Sequence, residues 1–299
     1  MKNPIFILLF LLSFSISAQQ RFIDESFQLE ETETKTYATK EGEELKLDIY
    51  QPKNDTMQHR PVIIFMHGGG FAGGTRTNPA EVDFARTAAK KGYVAVQISY
   101  RLTRKGQSFG CDYNASGKME TFKMAAEDFM DAVNFMVKNK EEFNINPAKI
   151  IVGGSSAGAE AVLNAVYNEK LMLEDFSKYQ NFDFAGVFSL AGAIVDARYI
   201  TEENAIPGVF FHGTEDNLVP YASAPHHWCD RDQPGYIMLD GSKTITEKLK
   251  KLNTSYLLYS FEGGKHEHSG MPFDHFPEVF HFFNSVFLNG ENQQIEVWK

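Results

Sequence analysis

"KIIVGGSSAGAEAVLNAVYNEKL", residues 149–171, changes its period halfway along, and glycine and serine stand at the change. The first part is a short β-branched run suited to a strand buried on both faces. From Ala157 onward the apolar residues recur at helical spacing. Between them lies Gly154-Ser155-Ser156-Ala157-Gly158, a G-x-S-x-G set between a strand and a helix. A serine there must sit on a tight, strained turn so that its hydroxyl projects, and flanking glycines leave room for that backbone. The adjoining helix N-terminus favours developing negative charge. The frame fits Ser156 and not Ser155, because position 157 is alanine.

Upstream, "VIIFMHGGGF" at 62–71 ends another apolar run in a histidine and three glycines. Glycines supply no packing, so they serve either a turn or a close approach of backbone N–H groups to something bound. With a serine nucleophile downstream, the second use has a chemistry. The tetrahedral intermediate of acyl transfer carries an oxyanion, and preorganised N–H donors stabilise it. Gly68, Gly69 and Ala157 are the expected donors.

Working outward, "YVAVQISYR" (93–101), "AGVFSLAG" (185–192), "IPGVFFHG" (206–213) and "SYLLYSFEGG" (255–264) read as further strands. Helical patterns lie between them at 79–92, 119–143 and 241–252, and "FPEVFHFFNSVFLNG" (276–290) makes a closing helix. This alternation predicts an α/β fold: one mostly parallel central sheet with helices on both faces. The polar, alternating stretch 27–52, with Lys40-Glu41-Gly42-Glu43 at its centre, predicts an N-terminal β-hairpin. Segments 102–118 and 220–240 are long, turn-rich and irregular. Both follow strands, which places them at the carboxyl ends of the sheet, where α/β proteins bind ligands.

Composition narrows the class. The 299 residues carry a formal charge of −10 with no basic block, which argues against nucleic acid as a partner. Residues 1–18 have the pattern of a secretory signal: Lys2, an apolar run over 5–12, and small residues ending at Ala18. That run is too short for a membrane span, which takes ~20 residues. The expectation is an exported protein, periplasmic or extracellular, whose mature part is one domain over 19–299.

HGGGF followed by GGSSAG resembles the α/β-hydrolase fold, and within it the esterases and lipases related to hormone-sensitive lipase and to bacterial feruloyl and acetyl esterases. The resemblance extends over about residues 45–288. It implies a serine carboxylic-ester hydrolase that works through an acyl-enzyme and needs no cofactor or metal. Its substrate would be a small-molecule or polysaccharide-linked ester. The triad order it implies is serine, acid, histidine. In "VFFHGTEDNLVPYAS" the acid falls at Asp216, with Glu215 as its neighbour. In "YSFEGGKHEHSG" the histidine falls at His266, but Lys265 stands where a glycine is usual, which leaves His268 as an alternative.

Other readings stay open at this stage. A peptidase or amidase uses the same serine chemistry, and a binding protein could occupy a dead hydrolase scaffold. Catalytic zinc could draw on His226, His227, Cys229, His266, Glu267 and His268, although no H-E-x-x-H or paired C-x-x-C occurs. His67 is expected to brace the glycine loop rather than react, and Tyr100 and Arg101 to brace loops. Cys111 and Cys229, one in each irregular loop, are expected to form a disulfide across the pocket. Phe109, Tyr221 and Trp228 are candidates for an aromatic wall.

Overall fold

The computed structural model describes residues 20–299, so the signal reading of residues 1–18 lies outside the described residues. Strands β1 (Glu33–Lys40) and β2 (Glu43–Tyr50) form the expected hairpin. Its two-residue turn has φ of 52° at Glu41 and 86° at Gly42, the doubly positive pattern that matches the twist of the flanking strands. Thereafter come β3 (Arg60–Met66), α1 (Pro79–Lys90), β4 (Val94–Ile98), α2 (Ala115–Lys138), β5 (Ile145–Ser155), α3 (Ala157–Tyr167) and α4 (Glu169–Met172). The chain continues through β6 (Phe184–Leu190), β7 (Ala193–Ile194), β8 (Gly208–Gly213), β9 (Ser223–Pro225), β10 (Met238–Gly241), α5 (Ser242–Lys251) and β11 (Tyr256–Phe261). It ends with α6 (Phe276–Phe282), a π-helical continuation at Phe283–Leu288, and β12 (Gln294–Trp298).

Nine strands make one sheet in the order β1-β2-β4-β3-β5-β6-β8-β11-β12. β2 is antiparallel to both neighbours, and every pair from β4 to β12 is parallel. Alternate strand residues go to opposite layers. Val62, Ile64 and Met66 of β3 pack with Phe122 of α2, Val162 of α3 and Ile245 of α5. Ile63 and Phe65 pack with Phe84 of α1 and Phe280 and Phe283 at the C-terminal helix. The sheet is therefore sandwiched, as the continuous apolar runs require. The phenylalanine-rich layer is knit by tilted and edge-on ring pairs, Phe65–Phe84 at 5.6 Å and Phe84–Phe276 at 5.6 Å among them. Among the described residues no helix is long and apolar enough to cross a membrane.

Three details depart from the sequence reading. Helix α2 starts at Ala115 inside the stretch expected as loop, because Asn114 Oδ1 accepts from Gly117 N at 2.7 Å and caps it. The 220–240 segment is not wholly irregular, since β9, β10 and β7 build a small antiparallel sheet. The last residues extend the large sheet as β12, parallel to β11.

Candidate active site

Ser156 stands between β5 and α3 with φ 51° and ψ −122°, a backbone conformation that L-residues rarely adopt. Two contacts hold it there. Its N–H donates to Leu190 O at 2.8 Å, and its C=O accepts from Glu160 N at 2.9 Å. Gly158 is required by close approach: a Cβ there would lie 2.1 Å from Met66 O on the neighbouring strand. As the residue before α3, Ser156 would ordinarily cap the helix with its hydroxyl, yet its side chain makes no such bond. The Oγ is turned instead to His266 Nε2 at 2.8 Å.

His266 opens a single 3₁₀ turn, His266–Ser269, in the loop after β11. Ser155, the serine the G-x-S-x-G frame set aside, fastens that turn by donating to Ser269 O at 2.8 Å. On the other side of the imidazole, Nδ1 lies 2.7 Å from Asp216 Oδ2. Asp216 follows β8 and is buried, whereas Glu215 is exposed. Its Oδ1 accepts from Leu218 N at 2.8 Å and Val219 N at 3.0 Å. His212 Nε2 approaches Oδ2 at 3.4 Å. Burial by itself would raise the Asp216 carboxyl, but the hydrogen bonds and charges of His212 and His266 hold it far below the ordinary carboxylate range. The carboxylate stays ionised, and the imidazole it faces carries its proton on Nδ1 with Nε2 free to accept. His268 is not part of this chain. Its ring stacks on Phe261 at 3.8 Å and its Nε2 lies 3.6 Å from Glu267 Oε1.

The glycine loop is fixed one peptide plane after another. Across the 67–68 peptide, His67 O accepts from Tyr100 OH at 3.1 Å and the Gly68 N–H turns to the Glu81 carboxyl. Across the 68–69 peptide, Gly68 O receives His67 Nδ1 at 2.7 Å. Across the 69–70 peptide, Gly69 O accepts from Ala72 N at 3.1 Å and Gly73 N at 3.0 Å. In a trans peptide the N–H points away from the C=O, so these bonds aim the Gly69 and Gly70 N–H groups to the opposite side. Among the described residues neither of these donors, nor Ala157 N–H, has a protein acceptor. The φ values of 121° at Gly69 and 61° at Gly70 are open to glycine at little cost. Gly68, expected from the sequence as a donor, lines the same cleft, with its N–H on the side of Glu81, and Gly70 joins Gly69 and Ala157 as a candidate donor. His67 braces the loop as expected, its ring 4.6 Å from that of Tyr100.

All of this opens on a cleft of about 530 Å³, lined by Gly68–Gly70, Ser156, Ala157, His266, Leu218, Phe109 and His227. The two irregular loops form its rim. Cys111 and Cys229 are joined in a disulfide with Cα atoms 5.3 Å apart, and backbone bonds Gly235 N to Cys111 O and Ala115 N to Pro234 O, both 2.9 Å, run beside it. His227 and Trp228 both have left-handed backbone, with φ of 56° and 53°. The expected aromatic wall reduces to Phe109. Trp228 lies outward and donates its indole N–H to Asp216 O at 2.8 Å, while Tyr221 OH bonds Ser260 Oγ at 2.6 Å beneath the loop. Arg101 braces α2 through Asp128, with Nη2 2.7 Å from Oδ1.

Under the rim lies a polar cluster that sequence reasoning missed. Glu160, four residues after Ser156, is buried with its Oε1 3.3 Å from His226 Nε2, and neither atom makes an aligned hydrogen bond. Burial pushes the Glu160 carboxyl up to about 7 and the imidazole of His227 down to about 4. Lys118 is fully buried nearby and donates to Gly235 O at 2.9 Å. On a helical pattern Glu160 and Lys118 read as ordinary surface charges. Only the disulfide-tied loop folding over them makes them interior.

Known proteins share this architecture. The chain is similar to the paraoxon-phosphorylated esterase 2 of Thermogutta terrifontis, with a TM-score of 0.61 at 20% identity over 86% of this chain and 95% of that one. The propionate-bound form of the same esterase superposes with a TM-score of 0.61 at 19% identity, over 85% and 94%. These likenesses establish the α/β-hydrolase fold. In sequence, 127 residues are 31% identical to Gut esterase 1 of Caenorhabditis elegans, and 134 residues are 31% identical to Esterase-5C of Drosophila pseudoobscura pseudoobscura. They amount to 42% and 45% of this chain and span about a fifth of those relatives' length, 21% and 22%. Residues 47–202, more than half of the 299, match the family described as BD-FAE, and the segment holds both the glycine loop and the serine turn. The chain belongs to the BD-FAE family of α/β-hydrolases.

Proposed function

We propose that the protein is a serine esterase that hydrolyses carboxylic esters through an acyl-enzyme. The observation that carries this reading is the hydrogen-bonded series Ser156 Oγ–His266 Nε2 at 2.8 Å and His266 Nδ1–Asp216 Oδ2 at 2.7 Å, opening on the cleft beneath the glycine loop. Ser156 Oγ attacks the ester carbonyl while His266 Nε2 takes its proton. The imidazolium is stabilised by Asp216, and the oxyanion by the N–H groups of Gly69, Gly70 and Ala157. His266 then protonates the leaving alcohol. A water molecule, deprotonated by the same imidazole, releases the acid and restores Ser156.

The esterase names of the relatives support ester over amide chemistry. The substrate we propose is a short-chain or carbohydrate-linked ester, and the resemblance to feruloyl and acetyl esterases supports the carbohydrate arm. Export is proposed on the signal-like residues 1–18, and the Cys111–Cys229 disulfide suits an oxidising compartment. The test is intact mass after treatment with a fluorophosphonate, alongside Ser156→Ala. One adduct on the wild type and none on the variant is the expected result. A folded wild-type protein that takes no adduct would refute the proposal.

A further inference from the structure

The geometry points to Glu81 as a positioning residue for the oxyanion loop: its buried carboxyl, in the cleft wall beside Gly68, steadies the peptide from which the Gly69 and Gly70 donors are hung. The inference rests on the esterase reading above and adds a residue to it. Glu81 lies in the first turn of α1, well after the glycine loop in sequence, yet its side chain reaches back to that loop and lines the cleft of Ser156. It is only 5% exposed. Its main chain is pinned as well, because Gln97 Nε2 on β4 donates to Glu81 O at 2.9 Å. The carboxyl therefore sits on a rigid base, between two elements that cannot drift apart.

Its surroundings explain why the uncharged form is the working one. One oxygen, Oε2, is buried with no hydrogen-bond partner, so a negative charge there would have nothing to neutralise it. A buried anion one peptide away from the Gly69 N–H would also oppose the oxyanion as it forms. Burial raises the Glu81 carboxyl to about 7, with the Gly68 N–H pulling weakly the other way. The titratable groups facing this region from neighbouring elements are few. His67 on the loop is driven toward its neutral form by burial, with Arg76 adding to the effect. The Tyr100 hydroxyl after β4 is pushed far up by burial and by the charges of Glu81 and Glu160. Glu160 lies on α3, and Arg76 is engaged with Asp48 at 2.9 Å. None of them offers Glu81 a compensating cation.

The test uses Glu81→Gln and Glu81→Ala in the full protein, with 4-nitrophenyl acetate as probe. Glutamine keeps an acceptor for the Gly68 N–H but cannot ionise. The wild type is expected to lose kcat several-fold as the pH rises through about 7, and Glu81→Gln to lack that alkaline loss. Glu81→Ala is expected to lower kcat ~10–100-fold with little change in KM, as misplaced donors do. Amide hydrogen exchange of the 62–74 segment is expected to quicken at Gly68 in Glu81→Ala, a readout that needs no catalysis. An alkaline loss retained in Glu81→Gln, wild-type kcat in Glu81→Ala, or unchanged exchange at Gly68 would each overturn the inference. Where Glu81→Ala does not fold, the Glu81→Gln profile decides. A wild type inert to esters would sink the esterase reading instead, and the exchange experiment would still decide for or against Glu81.

Discussion

Reducing the Cys111–Cys229 bond perturbs the protein without changing a residue. The link closes a loop of 118 residues, the sequence separation of its two cysteines. For a loop of that size the chain-entropy relation gives roughly 16 cal/mol/K of denatured-state entropy removed, or about 5 kcal/mol at room temperature. The native loops do not depend on the link alone. Gly235 N to Cys111 O, Ala115 N to Pro234 O and Lys118 Nζ to Gly235 O, each 2.9 Å, remain after reduction. Phe109 and His227 should therefore keep their places in the cleft wall. The expected result is a large loss of stability with little loss of function. The free energy of unfolding in guanidinium should fall by ~3–5 kcal/mol on phosphine reduction. kcat/KM in the absence of denaturant should stay within about threefold, a change under 1 kcal/mol. The assay pairs denaturation followed by tryptophan fluorescence with initial rates on a soluble ester, and a thiol count verifies the redox state. A stability change below about 1 kcal/mol would refute the entropic reasoning. Collapse of activity in a still-folded reduced protein would refute the claim that backbone bonds hold the rim.

Three further substitutions separate the triad from its neighbour His268. Asp216→Asn keeps acceptors for Leu218 and Val219 N–H but presents an amide to His266 Nδ1, so the imidazole adopts the wrong tautomer; kcat should fall ~10⁴-fold, about 5 kcal/mol, with KM little changed in steady-state assays. The same carboxylate is held below its ordinary range in the folded state. Its contribution to stability is therefore complete above the unfolded value of ~3.9 and is lost as the pH falls toward the lower folded value, so acid unfolding curves should be shallower in Asp216→Asn. His268→Ala removes a ring stacked on Phe261 and outside the Ser156 chain, so its kcat should stay within an order of magnitude of wild type, whereas His266→Ala should lose ~10⁴-fold or more in parallel assays.

The parts of the site legible in the sequence are those that local rules impose. A nucleophile on a strand–helix turn needs small neighbours, and Gly154 and Gly158 mark it; Asp216 and His266 are singled out by the family resemblance, in loops after strands whose apolar runs are plain to read. What escaped is set by tertiary geometry. Whether a glycine N–H faces the cleft depends on the dihedrals of three successive residues and on what grips each carbonyl, and no local pattern tells Gly68, Gly69 and Gly70 apart. Glu81 and Glu160 have the spacing of surface acids, and nothing local says that a loop or a cleft wall will cover them. The small β7–β10–β9 sheet pairs only two or three residues per contact, too few for a period to declare itself. β12 did carry a signal, since Ile295 and Val297 alternate with polar neighbours, but the strand is short and exposed and gains its order from β11. Asn114 was the available sign that α2 begins before Met119.

The parallel order of the sheet has a consequence for how the protein is made. Ser156 and His266 are separated by 110 residues, and Asp216 and His266 by 50; Asp216 and His266 follow the paired strands β8 and β11, and β6 must lie between β5 and β8 before Ser156 joins them. Such non-local pairing comes late in folding, after loop-closure entropy has been overcome. A nascent or partly folded chain thus holds a serine with no base beside it. On the proposed function, reactivity toward a fluorophosphonate should report when β5, β6, β8 and β11 have come into register.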